Sequence, residues 1–152
     1  MDAHETHLRE AVAIAWANVE AGGRPYGAVV VREDTFIARS ANLIGATNDP
    51  TAHAELLALR EAGRVLGRPR LDDCTVYASG RPCPMCHAAM RLAGIRTAWF
   101  AFTAEEAAEH GLLSAGIYEE LARPLDAQPM RVRHAPIPDA TCPYPEWAAR
   151  NG

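Results

Sequence analysis

The segment RPCPMC, residues 81–86, limits how this chain can fold more than any other stretch. Cys83 and Cys86 stand at i and i+3, so on a helix they project from one face of a single turn. Pro84 suits an early helical position, where its missing N–H has no partner to lose. The preceding run CTVYAS, residues 74–79, reads as a strand. The cysteines therefore occupy a strand-to-helix junction, where the positive helix N-terminus favours thiolate over thiol. Two thiolates side by side form a pincer for a soft divalent metal. Further ligands must come from elsewhere in the fold.

At 152 residues the chain suits one domain, residues 1–152, built on one core. The net charge of −4 argues against a nucleic-acid partner, which usually requires a basic face. No apolar run approaches the ~20 residues of a membrane helix. The opening MDAHETHLRE is polar and acidic, unlike a secretory signal. We therefore expect a cytoplasmic protein that does not engage membranes. Thiols stay reduced in that compartment, so the Cys83–Cys86 pair reads as metal-binding or catalytic rather than a disulfide.

Periodicity supplies the frame. Residues 4–21 carry an apolar helical stripe through Leu8, Ala11, Val12, Ala15, Trp16 and Val19, ended by Gly22-Gly23. Strands are expected at 26–31 and 35–41, joined as a hairpin through Arg32-Glu33-Asp34, and again at 74–79, 96–102 and 130–135. Helices are expected at 51–66, 84–93, 104–109, 115–122 and 146–150. Strands and helices alternating in this way predict a layered α/β domain, with helices covering a mixed sheet.

NDPTAHAELLALR, residues 48–60, carries the remaining polar anomaly. His53 and Glu55 sit two apart in an expected first helical turn otherwise rich in alanine and leucine. Helical side chains lean toward the N-terminus, so both can converge on a point just beyond the helix end. If both helix starts meet at one edge of the sheet, His53, Cys83 and Cys86 form a three-ligand Zn²⁺ site. Three protein ligands leave one position open, the arrangement of catalytic rather than structural zinc. Two thiolates and an imidazole leave the ion formally neutral and its water only modestly acidified. Glu55 then has a role as the base that takes the water's proton and delivers it to a leaving nitrogen, which is hydrolytic deamination.

HAE at 53–55 with PCPMC at 82–86 resembles the cytidine-deaminase-like superfamily, whose signature is H-x-E…P-C-x-x-C. PYGAVVV, NDPTAHAE, LDDCTVY and PCPMCHAAM look most like its bacterial guanine deaminase branch. The resemblance implies a three-layer α/β/α fold around a mixed sheet, here with the five strands read above. It also implies zinc on His53, Cys83 and Cys86, with Glu55 as proton shuttle. Asn42 matches a base-contacting position, Tyr26 an aromatic pocket position, and the Ala54 N–H a further base contact. A homodimer is implied, with a C-terminal segment near 124–152 that packs on the partner.

Two features depart from that branch. Its second carboxylate falls in a segment that here reads HGLLSAGIY, with Ser114 at the expected position and Glu109 and Glu119 as the neighbouring acids. The chain stops at EWAARNG, without the aromatic tail that covers a neighbour's site in swapped dimers. The expected substrate is thus a free amino-heterocycle: guanine, or a smaller ring such as cytosine or an s-triazine that needs one shuttle.

Rival readings remain at this point. Transfer-RNA adenosine deaminases share DPTAHAE and PCxMC but require a basic surface. A non-catalytic zinc module would close the fourth position with Cys74, His87 or Cys142. The pair alone also fits a thioredoxin-like dithiol, and CPMCH fits c-type haem attachment. Asn42 could simply end a strand and Tyr26 could be core. Cys74 reads as buried and inert, Cys142 lies in a proline-rich loop, and Trp147 reads as a tail anchor. His4, His7, His87, His110 and His134 read as surface or local packing.

Overall fold

The computed structural model describes residues 2–112 and 115–152. The chain divides into two compact units, one running up to Glu119 and the other from Glu120 to Gly152. The first contains α1 (Ala3–Glu20), β1 (Gly27–Arg32), β2 (Thr35–Ala41), α2 (Ile44–Thr47), α3 (Ala54–Leu66), β3 (Thr75–Gly80), α4 (Pro84–Ala93), β4 (Ala98–Phe102) and α5 (Ala104–Ala108). Helix α6 (Ala115–Leu121) spans the division between the units.

The sheet has the order β2-β1-β3-β4. β1 is antiparallel to both β2 and β3, whereas β4 runs parallel to β3. The parallel pair follows from connectivity: α4 carries the chain back across the sheet between β3 and β4, the crossover that parallel neighbours require. The β1–β2 hairpin turns on Glu33 and Asp34, both at positive φ, the primed geometry that matches strand twist.

Alternation along β1 builds the layers. Val29 and Val31 pack with Tyr77, Leu8, Ile14 and Phe36 on the α1 side. Ala28 and Val30 pack with Val76, Ala54, Ala58, Leu59, Cys86 and Met90 on the side of α3 and α4. The result is the expected three-layer arrangement with a mixed sheet. Helix α1 lies close on β1 because Ala11 and Ala15 face Gly27, where a Cβ would strike the carbonyl oxygen of Ala11.

The sheet has four strands rather than five among the described residues. Residues 130–135 form no strand. Their alternation has the right period, but a strand exists only where a neighbour takes its N–H and C=O groups. Helix α3 begins at Ala54 and not at Thr51. Asp49 Oδ1 accepts from both the backbone N–H and the hydroxyl of Thr51, at 2.8 and 2.7 Å, an Asx turn that competes with helix. The one-turn helix α2 is too short for periodicity to reveal.

The second unit holds a 3₁₀ turn (Leu125–Ala127) and helix α7 (Tyr144–Asn151). Trp147 on α7 is 68% exposed and anchors no core. Among the described residues no helix is long and apolar enough to cross a membrane.

Candidate metal centre

The C-terminal end of β3 and the N-termini of α3 and α4 meet at one edge of the sheet. β3 ends at Gly80, and Arg81-Pro82 leads directly to Cys83, the N-cap of α4. Cys83 Sγ accepts from the backbone N–H of Cys86 at 3.5 Å, so the metal-binding atom itself caps the helix. His53 is the N-cap of α3 in extended backbone, one position before the helix rather than inside its first turn. That placement swings its ring beyond the helix end. His53 Nδ1 lies 3.4 Å from Cys83 Sγ.

Ligand atoms of His53, Cys83 and Cys86 all lie within 4.8 Å of one another. A tetrahedral ion at ordinary zinc bond lengths sets its sulfur and nitrogen ligands about 3.6 Å apart and two sulfurs about 3.8 Å apart. The observed sulfur–nitrogen separation agrees, and two sulfurs with an imidazole are a zinc donor set. The three residues therefore fit Zn²⁺ in composition and spacing. Cys74 and His87 do not belong to this group, which among the described residues comprises the three alone. Cys74 donates toward Asp73, and burial pushes its thiol up to about 11, as suits an inert core cysteine. His87 is exposed and turns toward Tyr118. Cys142 is exposed in the second unit.

The electrostatics are those of a site prepared for a cation. The Cys83 thiol is driven well down because Cys86 and His53 donate toward its sulfur. The thiolate so formed, with burial, drives the Cys86 thiol up. His53 is raised by the hydrogen bond to the Cys83 sulfur. Glu55 is only 6% exposed, and burial raises its carboxyl above the ordinary range. Its Oε2 lies 3.7 Å from Cys86 Sγ, beside the ligand group but not within it.

Asn42 is buried where β2 ends, with its backbone N–H bonded to Tyr26 O at 3.0 Å. Its Oδ1 accepts from Ile44 N–H at 3.1 Å, which leaves the side-chain NH₂ as the donor edge. Ala54 opens α3, where backbone N–H groups have no intrahelical acceptor. Tyr26 is half-buried, and burial raises its phenol, with the Glu55 charge adding to the effect. A cavity of about 370 Å³ opens beside it, lined also by Ser79, Gly80, Arg81, Phe102 and Glu109. Glu109, itself exposed, lines a chamber that shares Tyr26 with this end of the sheet, and Glu119 is exposed too. Ser114 lies outside the described residues. Tyr118, on α6, carries no signal in the sequence, yet it reaches Arg81, Pro82 and His87 more than 30 residues away.

Fold and donor set together define a zinc-dependent α/β hydrolase. The family model described as the cytidine and deoxycytidylate deaminase zinc-binding region matches residues 1–102. The guanine deaminase of Bacillus subtilis (strain 168) is 39% identical over 145 residues, covering 95% of this chain and 93% of that protein. The X-ray structure of the guanine deaminase from Bacillus subtilis superposes with a TM-score of 0.88 at 39% identity, covering 100% of this chain and 96% of that one. A tRNA-specific adenosine deaminase of Aquifex aeolicus is 38% identical over 96 residues, 63% of this chain and 64% of that protein. The chain belongs to the cytidine and deoxycytidylate deaminase zinc-binding family.

Proposed function

We propose that this enzyme hydrolyses the exocyclic C–NH₂ of a free nucleobase to C=O with release of ammonia, and that guanine is its substrate. The observation that carries the substrate is the likeness to guanine deaminase along nearly the whole chain, against matches to transfer-RNA deaminases that stop short. The net charge of −4 also disfavours a transfer-RNA partner. His53, Cys83 and Cys86 hold the zinc, which when bound supplies Lewis acidity toward water. Glu55 takes a proton from the attacking water and returns it to the leaving nitrogen, so the ring gains oxygen and sheds NH₃. Asn42 presents its NH₂ and Ala54 its N–H to the base edge, and Tyr26 lends an aromatic face. In support, Tyr26 precedes β1, Asn42 follows the antiparallel β2 at the same end of the sheet, and Ala54 opens α3 next to His53.

One sequence observation favours a second reading. HGLLSAGIY carries no carboxylate where guanine deaminases place a second acid, so cytosine or an s-triazine, which need one shuttle, are the competing substrates. Ammonia release from guanine, guanosine, adenine, cytosine, cytidine and triazines separates the readings. Turnover of guanine with none on RNA stem-loops supports ours, and turnover confined to cytosine or triazines replaces guanine. We further infer a cytoplasmic homodimer with exchanged C-terminal segments. The dimer alone draws support from β4, an edge strand whose Trp99, Phe100 and Phe102 are 41%, 43% and 49% exposed.

A further inference from the structure

The strand-to-helix turn that carries both sulfurs is bracketed by one hydroxyl. Tyr118 Oη donates to Pro82 O at 2.5 Å, immediately before Cys83. The same oxygen lies 3.2 Å from His87 Nδ1, immediately after Cys86. Because the phenolic hydrogen is committed to Pro82, His87 must be the donor, which places its proton on Nδ1. The Arg81 guanidinium lies over the Tyr118 ring, 4.5 Å from its centroid, and holds the ring in place. Pro82 is buried, so its carbonyl needs a hydrogen-bond donor within the protein. Tyr118 supplies one.

We infer that Tyr118 is a positioning residue for the zinc centre: by tying Pro82 to His87 it fixes the geometry of the intervening turn and hence the spacing of Cys83 and Cys86. The physical argument concerns the peptide between Pro82 and Cys83. Its rotation sets the direction of the Cys83 side chain, and the backbone N–H of His87 closes the turn onto Cys83 O at 2.9 Å. Without the hydroxyl, the buried Pro82 carbonyl is unsatisfied and the peptide turns to seek water. The Cys83 sulfur then leaves the position that matches His53. The inference rests on the zinc centre and not on the identity of the base.

The test is the rate at which the zinc-loaded protein gives up its metal to a chromophoric chelator, measured with no substrate present. Tyr118→Phe keeps the ring over Arg81 and removes only the bridge, and it should release zinc about 10–100-fold faster, the usual consequence of losing a group that orients metal ligands. Tyr77→Phe is the control. It removes a hydroxyl that also bonds a histidine, 2.7 Å from His4 Nδ1, on the α1 side of the sheet. Its zinc release should match wild type even if its melting temperature falls as far. Release from Tyr118→Phe at the wild-type rate overturns the inference. Should that variant fail to fold, the exposed His87 provides the decision. Faster release from His87→Leu, restored by His87→Asn with its amide donor, supports the bridge, and wild-type release from both overturns it. A protein that holds zinc but ignores guanine fails the substrate reading and leaves this test intact.

Discussion

Glu55 Oε2 stands 3.7 Å from Cys86 Sγ, while Glu55 itself is 6% exposed. A carboxylate in that position is close enough to serve a molecule bound at the metal, and it remains outside the three-ligand group. Replacing it with glutamine preserves shape and hydrogen bonding but abolishes proton carriage. Glu55→Gln should therefore retain one zinc per chain while ammonia release falls by about 10²–10⁴-fold, the usual worth of a positioned acid–base group. Metal analysis and steady-state turnover on one preparation check this. Wild-type turnover in the variant would end the role assigned to Glu55.

Removal of the ion gives a complementary outcome. His53, Cys83 and Cys86 lie on two helix N-termini, so zinc that bridges them stabilises the folded chain by mass action, by about 2.7 kcal/mol when free zinc is ~100 times its dissociation constant. Chelation should abolish turnover and lower the melting temperature, and added zinc should restore both. Cys83→Ala should bind substoichiometric zinc and show no such thermal response. Stoichiometric zinc in that variant would remove Cys83 from the ligand set.

The local parts of this site could be read from residues alone, and the long-range parts could not. Cys83, Pro84 and Cys86 announce a helix start because capping, proline placement and i,i+3 spacing are decided within a few residues. Joining His53 to that pair required the donor chemistry, since nothing local connects the segments. The start of α3 was misplaced because Asp49 captures Thr51 through a side chain, which hydrophobic periodicity does not register. Residues 130–135 have the period of a strand but no strand partner among the described residues. His7, read as surface or local packing, is 4% exposed and meets Phe36 and Tyr77. Tyr118 carried no local signal, because its meaning depends on where α6 lands.

Asn42 separates structure from recognition. Its Oδ1 holds Ile44 N–H, whereas its NH₂ is the donor we propose meets the base. Asn42→Asp keeps the acceptor and loses the donor. We expect the turn to persist and kcat/KM to fall by a factor corresponding to about 1–3 kcal/mol, the cost of an unmade buried hydrogen bond. Asn42→Ala should lose both functions and melt at lower temperature. Unchanged kcat/KM in Asn42→Asp would show that the base is read elsewhere.

Gly27 tests the packing of α1. A Cβ there meets Ala11 O, Ala15 N and the Ile14 side chain, two of them backbone atoms that cannot turn aside. Gly27→Ala must push α1 off the sheet, and overpacking of this kind costs about 1–3 kcal/mol. Denaturant unfolding should show that loss, with zinc content per folded molecule unchanged because the metal ligands lie on α3 and α4. Wild-type stability would mean that α1 is free to shift.

The exposed edge of the sheet makes the last prediction. Parallel strands are usually covered on both faces, yet among the described residues β4 pairs only with β3 and all of its residues are exposed. Trp99 shares a face with Tyr77 and stacks on His4, 4.4 Å between ring centroids, whereas Phe100 pairs with Ala78 on the side of α3 and α4. An unpaired edge carrying aromatic groups invites another chain. A second copy laid on β4 would remove that surface from water, and a charge at its centre would oppose the approach. Phe100→Glu should therefore convert a dimer to a monomer in light scattering coupled to size exclusion, with helical content and zinc retained because Phe100 contributes little to the subunit core. A wild-type chain that runs as a monomer at all concentrations, or a Phe100→Glu variant that stays dimeric, would place the interface elsewhere or nowhere.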